Sequence, residues 1–317
     1  MCFKEKMVKL AEVDTCDHSF RITTQETVDD LMDSIGHVGL LNLPLLLEKK
    51  TRYIVLCGFR RIEACRRLNR LDVKARILDS DTKKLECARY AVTDNAFQRP
   101  LNLIEKSRSI RMLSNFFSDP RRLSKEMSIL GVPCHESIIP KIKEIGSFSK
   151  PLQNSILSES ISLATALEIH KMSKDVKDGF VTLFNVLKLS VNKQREIVTL
   201  IKEISLREDI SMAEILEGLY LKRILNDGDL DKNQKIRKIR SYLKKRRFPA
   251  ITRAELAFEE HRQNLKLGAG IKLIPPENFE STTYFLNFSF KDLNELKDIK
   301  KNFDSLIENP SLKKILD

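Results

Sequence analysis

The chain has 317 residues, 42% of them hydrophobic and 7% aromatic, which is enough to build two or three domains with sizeable cores. Its net charge is +12, its six cysteines form no CxxC pair, and its five histidines show no metal-ligand spacing. These features exclude a disulfide framework and a His/Cys metal centre. The chain also lacks the roughly 20-residue apolar run of a membrane helix and the apolar stretch of a signal peptide, so we expect a cytoplasmic protein without membrane contact.

Strand and helix patterns alternate in the first third of the chain. Alternating or short apolar runs predict strands, and apolar residues at helical spacing predict helices. Helices are predicted at residues 25–35, 59–69 and 82–92, and Thr24 is the predicted cap of the first one. Strands are predicted at 20–22, from Leu45 onward, at 53–56 and at 73–78. We therefore predict a small mixed α/β domain over residues 1–98.

The junction at Gly58 is the most informative local feature. A buried strand turns there through glycine into a helix, whose first free N–H groups attract anions. Arg60 and Arg61 add two cations in the first turn, which an isolated helix disfavours, so a negative group should compensate them. A phosphate chain is one such group. A surface turn with two solvated arginines is the alternative.

The middle of the chain is predicted to be entirely helical, over residues 99–226. Two helices, at 123–130 and from there to Ile145, flank Gly131 and have the form of a helix-turn-helix. Pro140 falls inside the second helix, where we expect it to cost stability or produce a kink. Further helices are predicted at 101–117, 161–172, 176–187, 192–204 and 211–225.

The last part, residues 230–317, combines a basic helix with a small α+β cap. Lys232–Arg247 contains nine Lys or Arg residues and no acid, and so accounts for most of the net charge. Such a block favours a nucleic-acid backbone or an acidic partner. Beyond it we predict a helix at 254–265, a turn at 268–270, strands at 271–274 and 283–290, and a helix at 293–307. The whole chain is thus predicted to be α+β and mostly helical, with a ββα-like C-terminal cap.

The second predicted strand of this cap, Thr283–Phe290, has aromatic residues on both faces. A two-stranded sheet is marginal in water by itself, and one helix covers only one of its faces. We therefore predict a homodimer through the C-terminal domain. In the alternative, the helix at 254–265 covers the second face within one chain.

Three segments together resemble the ParB family of partition proteins, whose first domain is of the ParB/sulfiredoxin type. Thr27–Asn42 resembles the family's stretch ending in GLLQP, Gly58–Ala64 resembles its GERRxRA box, and Asp94–Glu105 resembles ENLQREDLNPIE. The order of the three segments is the family's order, and the looser resemblance of the helical region extends to about Leu216. The box departs from the family pattern at Phe59, where the family has Glu.

The resemblance implies a nucleotide-binding first domain that takes CTP, or another nucleoside triphosphate, with Mg²⁺. By position, the phosphate-binding residues would be Gly58, Arg60, Arg61, Asn95 and Arg99, and the metal ligands Asp94 and Asn95. The oxygen atoms of these two ligands suit a hard cation. A helix end and turn is the alternative for the pair.

The resemblance also implies a DNA-binding clamp of the partition class, associated with a nucleoid or plasmid and with a ParA-type ATPase as a further partner. The expected DNA-binding residues are Lys141 and Lys143 in the second helix of the divergent helix-turn-helix, and Lys244, Lys245, Arg246 and Arg247 in the basic helix. Pro140 and Glu144 are unsuited to base reading. An all-helical packing domain that has lost base reading is the alternative for the middle region.

Two other functions are open on the sequence. One is an enzyme built on the same first domain, either a nuclease or an NTPase or phosphotransferase. If the protein is instead the clamp, the only catalytic activity that we expect is slow nucleotide hydrolysis. A sulfiredoxin is disfavoured, because Phe59 stands where its cysteine is needed. The other is a regulatory interaction protein that no longer reads DNA sites.

Overall fold

The structure is a computed structural model that describes residues 3–268 and 270–316. It divides into two compact units, Met1–Val191 and Asn192–Asp317. The predicted fold class is confirmed: a mixed α/β sheet comes first, many helices follow, and a small sheet lies near the C-terminus. The proposed division into three domains stays a prediction. Among the described residues, no helix is both long and apolar enough to cross a membrane.

The first unit begins with a five-stranded mixed sheet in the order β1-β5-β3-β4-β2. β3 and β4 form an antiparallel hairpin, β1 pairs antiparallel with β5, and the β2–β4 and β3–β5 pairs are parallel. The elements are β1 (Lys4–Lys9), β2 (Val13–Asp14), α1 (Asp29–Val38), β3 (Leu45–Lys49), β4 (Arg52–Cys57), α2 (Phe59–Arg67), β5 (Asp72–Leu78) and α3 (Lys84–Ala96).

Side chains of this sheet alternate between two cores, as the pleat of a strand requires. Leu46 and Val55 are buried with Ile62 of α2 on one face. Leu56 is buried with Cys87 of α3 on the other face. Helices therefore cover both faces, and the carboxyl end of β4 is held rigidly where α2 begins.

Six helices complete the first unit. A 3₁₀ turn at Glu136–Ile138 precedes α6. The helices are α4 (Leu103–Leu113), α5 (Pro120–Ile129), α6 (Ile139–Ile145), α7 (Lys150–Leu157), α8 (Leu163–His170) and α9 (Lys174–Leu187).

Three local predictions for this unit were wrong. Residues 20–22 form no strand, and α1 begins at Asp29, because the hydroxyl of Thr24 is engaged by Glu105 and Asn102 instead of capping a helix. Pro140 lies in the first turn of α6, where its missing N–H costs no hydrogen bond. It starts the helix and does not kink it.

The described residues of the second unit form seven α-helices and the two-stranded sheet. The basic helix has the predicted bounds, while the predicted helix at 211–225 is divided at Gly218. The elements are α10 (Val191–Glu208), α11 (Met212–Leu216), α12 (Leu219–Asn226), α13 (Lys232–Arg247), α14 (Pro249–Asn264), β6 (Ile271–Ile274), β7 (Phe285–Phe288), α15 (Leu293–Ile307) and α16 (Pro310–Leu316). The predicted turn at 268–270 includes residue 269, which lies outside the described residues.

One face of the small sheet is covered and the other is open. Leu273 pairs with Leu286, and both pack against Phe258 of α14. The neighbouring pair, Ile274 and Phe285, points to the opposite face, where the two residues are 40% and 59% exposed. α14 covers the first face together with Leu306 of α15 and Ile315 of α16. Among the described side chains, the second face keeps its apolar pair exposed, and we refer to it as the open face.

Candidate functional site

The turn between β4 and α2 has the geometry of an anion site. Gly58 adopts φ 87°, the left-handed region that favours glycine, and a Cβ atom there would lie 3.0 Å from Cβ of Pro44. Glycine also offers no side chain to cap α2. The first N–H groups of the helix are therefore available to a ligand.

A cavity of about 260 Å³ opens beside this turn. The structure brings together in its wall all the residues that the sequence assigned to the nucleotide and the metal, although they come from two separate segments: Gly58, Arg60, Arg61, Asp94, Asn95 and Arg99. Leu31, from the first of the three family-like segments, lines the cavity as well. The sheet makes this possible, because α2 starts just after the carboxyl end of β4 and α3 packs against that end.

The two arginines of the first turn differ in what they contact. Arg60 donates to the carbonyl of Thr27 at 2.9 Å, to the side chain of Gln25 at 2.9 Å, and to the carboxylate of Asp30 at 2.9 Å. Within the described part of the chain, Arg61 forms no ion pair, and its guanidinium lies against Gly58. Arg61 is thus the cation with free donors in the cavity, and the negative group that compensates Arg60 is Asp30.

Arg99 is held by a carboxylate that the sequence analysis missed. Its guanidinium donates to both oxygens of Glu105, at 2.7 Å and 2.6 Å. Glu105 is fully buried and also accepts from the N–H groups of Thr24 and Asn102. Asn102 and Glu105 form a capping box at the start of α4, and this N-x-x-E spacing is the sequence signal that could have revealed Glu105.

The pKa of Glu105 results from opposing effects. Burial acts to raise the pKa of this carboxyl group. The hydrogen bonds from Arg99, Thr24 and Asn102, together with the charge of Arg99, outweigh burial, and the net result is a lowered pKa. Glu105 therefore stays ionised at neutral pH and fixes the position of Arg99.

Asp94 and Asn95 fit a hard cation that shares its coordination with phosphate oxygens. The amide nitrogen of Asn95 donates to the carbonyl of Ala91 at 2.8 Å, which leaves the amide oxygen for a ligand. A single carboxylate and an amide oxygen suit Mg²⁺, which keeps waters and takes phosphate oxygens. In the parts of the chain that are described, no group of three or more His, Cys, Asp or Glu side chains could hold a metal ion. A cation at Asp94 and Asn95 would therefore depend on phosphate oxygens and water for its other ligands.

Residues 5–96 match the sequence family described as ParB N-terminal domain. The resemblance to the ParB family is therefore confirmed. The matched region covers the sheet, α2 and α3, and it includes Gly58, Arg60, Arg61, Asp94 and Asn95 of the cavity. Arg99 lies just beyond it.

Two curated relatives are similar to this chain. The probable chromosome-partitioning protein ParB of Helicobacter pylori is 23% identical over 178 residues, which are 56% of this chain and 59% of that protein. The protein of the same name from Campylobacter jejuni is 33% identical over 89 residues, 28% of this chain and 31% of the relative. The matched region thus spans less than two thirds of either relative.

Among solved structures, the chain is similar to the C-terminally truncated chromosome-partitioning protein ParB from Caulobacter crescentus, complexed with CTP-γ-S. The identity is 17%, and the comparison covers 57% of this chain and 98% of that one. Its TM-score is 0.27, too low to support a conclusion about this chain.

Cys57, which directly precedes Gly58 of the cavity, is unsuited to nucleophilic chemistry. It is buried, and its thiol donates to the carbonyl of Tyr90 at 3.6 Å. Burial raises the pKa of the Cys57 thiol, and the charge of Asp94 raises it further. The thiol therefore stays protonated at neutral pH.

Four of the nine cations of the basic helix α13 pair with acids of α10. Arg240 and Lys244 pair with Glu196 at 2.8 Å and 3.4 Å. Lys244 is one of the predicted DNA-binding residues, and two others are engaged in the same way: Arg246 pairs with Glu208 at 2.6 Å and Arg247 pairs with Glu203 at 2.7 Å. These ion pairs give four cations of the basic block a role in packing α13 against α10.

Of the five other cations of α13, Lys235 donates to the carbonyl of Leu225 at 2.8 Å and four face solvent. Across residues 232–247, all of which are described, four exposed cations form no ion pair: Lys232, Arg237, Lys238 and Lys245. Arg237, Lys238 and Lys245 lie within about two helical turns on one side of α13, around Ser241. Lys245 is the one predicted DNA-binding residue of this helix that belongs to this exposed stripe.

Lys141 and Lys143 are exposed on α6, outside the cavity. Ile142 lies between them and is buried. Since residues two apart point about 200° away from each other around a helix, the two lysines flank the buried face on opposite sides. A single DNA groove cannot use both equally.

Proposed function

We propose that this chain is a ParB-type partition protein: a homodimeric, DNA-binding clamp gated by CTP, or a closely related nucleoside triphosphate, with Mg²⁺. One observation carries the proposal. Residues from three family-like segments line a single cavity, at a helix N-terminus that glycine leaves uncapped. The names of the two curated relatives, both probable chromosome-partitioning proteins, support the same function.

In this proposal the phosphates bind the N–H groups at the start of α2 and the guanidinium of Arg61. Asp94 and Asn95 hold Mg²⁺, which shares the phosphate oxygens. Arg60 joins the site by exchanging the carboxylate of Asp30, which is 70% exposed, for a phosphate. Since such an exposed ion pair is worth little, the exchange costs little free energy.

Arg99 transmits the state of the cavity to α4. It lines the cavity and is bound to Glu105, which also holds the N–H of Thr24 at 2.9 Å. A phosphate that attracts Arg99 therefore competes with Glu105. The segment around Thr24 and the start of α4 then respond together, which is a route from nucleotide binding to a change of conformation.

DNA binding is assigned to two surfaces. The exposed stripe of α13 (Arg237, Lys238 and Lys245) contacts phosphates without reading sequence. The helix pair α5 and α6 provides a second contact through Lys141 or Lys143. Because Pro140 and Glu144 occupy the second helix, we expect weak discrimination between bases.

Dimerisation is assigned to the open face of the C-terminal sheet. Phe285 and Ile274 form an exposed apolar pair there, while Phe288 packs edge-to-face on Phe303 of α15 at 5.7 Å. A second copy that buries Phe285 and Ile274 covers the sheet and closes the clamp. A ParA-type ATPase and an association with a nucleoid or plasmid follow from the partition role.

The nuclease and phosphotransferase alternatives gain no support at the cavity. Cys57 is buried and protonated. Glu63 of α2 is paired with Arg66 and Arg67, at 3.6 Å and 3.0 Å, and does not line the Gly58 cavity. Slow nucleotide hydrolysis is the one catalytic activity that the proposal includes.

Titration of labelled CTP, ATP and GTP against the full chain tests the proposal, with Mg²⁺ and with or without duplex DNA. We expect saturable binding of CTP that EDTA weakens and that DNA changes. Equal, weak binding of all three nucleotides, or none, would refute the nucleotide gate. Crosslinking across the open sheet face, with and without CTP, then reports whether the clamp closes.

A further inference from the structure

A second cavity in the first unit is larger and more basic than the one at Gly58. It has a volume of about 830 Å³ and lies between the segment around Arg21 and the helices α4 and α7. Four cationic side chains line it, Arg21, Arg108, Arg111 and Lys150, against a single carboxylate, Glu26. None of the six residues assigned to the nucleotide and metal lines it, although Thr23 lies in the walls of both cavities. Its cationic groups are therefore distinct from those of the Gly58 cavity.

The cationic groups of this cavity are incompletely neutralised. Glu26 pairs with Lys150 at 3.2 Å, and within the described chain Arg21, Arg108 and Arg111 form no ion pair. The pKa of Arg108 is lowered, first by burial and then by the charge of Arg21. A half-buried guanidinium beside a second one is unfavourable unless an anion approaches both.

Arg108 is held in place, and Arg111 packs against the backbone of Gly146. Arg108 donates to the carbonyls of Ile22 and Thr23, at 3.1 Å and 2.7 Å, which fixes its guanidinium in the wall. Arg111 lies over Gly146, where a Cβ atom would come within 2.5 Å of its side-chain nitrogen and displace it. Arg108 is therefore arranged before a ligand arrives, which lowers the cost of binding.

We propose that this cavity binds a free oligophosphate, such as the phosphate chain of a nucleotide or an inorganic polyphosphate. Arginine forks match phosphate oxygens in pairs, and three of them suit a ligand with more than one phosphate. The cavity volume lies within the usual range of small-ligand pockets. The site is concave, whereas elements that bind duplex DNA project into its grooves, so duplex DNA is the poorer fit.

Calorimetric titration of the full chain with inorganic tripolyphosphate, without Mg²⁺, tests the site. Arg21 and Arg111 donate no side-chain hydrogen bond within the described residues, so the double variant Arg21→Gln/Arg111→Gln should fold normally. We expect it to bind tripolyphosphate at least about tenfold more weakly, the effect of losing one charged hydrogen bond or more. Arg52→Gln removes one positive charge from β4, at a residue that does not line this cavity, and should leave the affinity unchanged.

Two variants separate this cavity from the nucleotide site and from DNA. Arg61→Gln should leave tripolyphosphate binding at the second cavity intact; loss of all binding in this variant would overturn the proposal. Wild-type affinity in Arg21→Gln/Arg111→Gln would overturn it as well. Finally, if Arg21 and Arg111 are needed to bind duplex DNA and not tripolyphosphate, the site belongs to a nucleic-acid backbone and the assignment to a free phosphate is wrong.

Discussion

Replacing Glu105 by Gln removes the charge at the centre of the link between the cavity and α4. The carboxylate is fully buried and accepts five hydrogen bonds, from the side chain of Arg99, the N–H and hydroxyl of Thr24, and the N–H of Asn102. In Glu105→Gln an amide NH₂ group replaces one oxygen and faces these donors. Breaking a buried ion pair costs about 3–5 kcal/mol. Because the side chain of Arg99 is 35% exposed, we expect a loss near the lower limit, about 3 kcal/mol.

The effect should depend on pH in a defined direction. The folded-state pKa of Glu105 is lowered, so its contribution to stability is complete above the unfolded pKa, about 4.3. The contribution is lost as the pH falls through the folded pKa, because the carboxylate must then be protonated in both states. The difference in stability between wild type and Glu105→Gln should therefore be constant from pH 7 to about pH 5 and shrink below about pH 4.

Hydrogen exchange followed peptide by peptide in α4 measures this free energy without assuming that the two units unfold together. Glu5→Gln is the control, since Glu5 pairs with Lys74 at 2.8 Å on the surface and should give no measurable change in α4. A loss below about 1 kcal/mol at pH 7, or a difference that stays constant down to pH 3, would refute the role given to Glu105.

Three further predictions concern the proposed ligands and partner. Arg61→Gln should weaken CTP binding by about 1.5–3 kcal/mol in calorimetry, because Arg61 has free donors in the cavity. Replacing Arg237, Lys238 and Lys245 together by Gln should reduce the slope of log K against log salt for DNA binding by up to about 3, as measured by fluorescence anisotropy. Phe285→Asp should convert the dimer to a monomer in sedimentation at micromolar concentration, since it places a charge on the open sheet face.

Each of these variants has a matched control. Arg60→Gln should weaken CTP binding less than Arg61→Gln does, and the reverse order would contradict the geometry of the cavity. Arg247→Gln should leave the salt slope unchanged, because Arg247 is paired with Glu203. Leu256, 62% exposed on α14, resembles Phe285 in exposure, so Leu256→Asp should remain dimeric; two monomeric variants, or two dimeric ones, would argue against this interface.

Local patterns in the sequence were sufficient to predict the turn at Gly58 and the basic helix. A β-branched run, a glycine and an apolar helical period each act over a few residues, and the structure has β4, Gly58 and α2 in that order. The bounds of α13 follow in the same way, from its N-cap Asp231 and from Pro249 after its end. The resemblance to the ParB boxes then predicted that Asp94 and Asn95 belong to the same site as this turn.

Tertiary structure alone decided which of the predicted charges are free. The periodicity of α13 places its arginines on a helix surface but carries no information on what that surface meets. The acids that neutralise Arg240 and Arg246 lie in α10, 44 and 38 residues away, and only packing of the two helices brings them within reach. Arg99 is also neutralised by an acid that only the tertiary structure identifies. This acid, Glu105, is near in sequence, but it is the fold that buries it against Arg99. Local composition determined where the cations are, and long-range packing determined which of them remain available to a ligand.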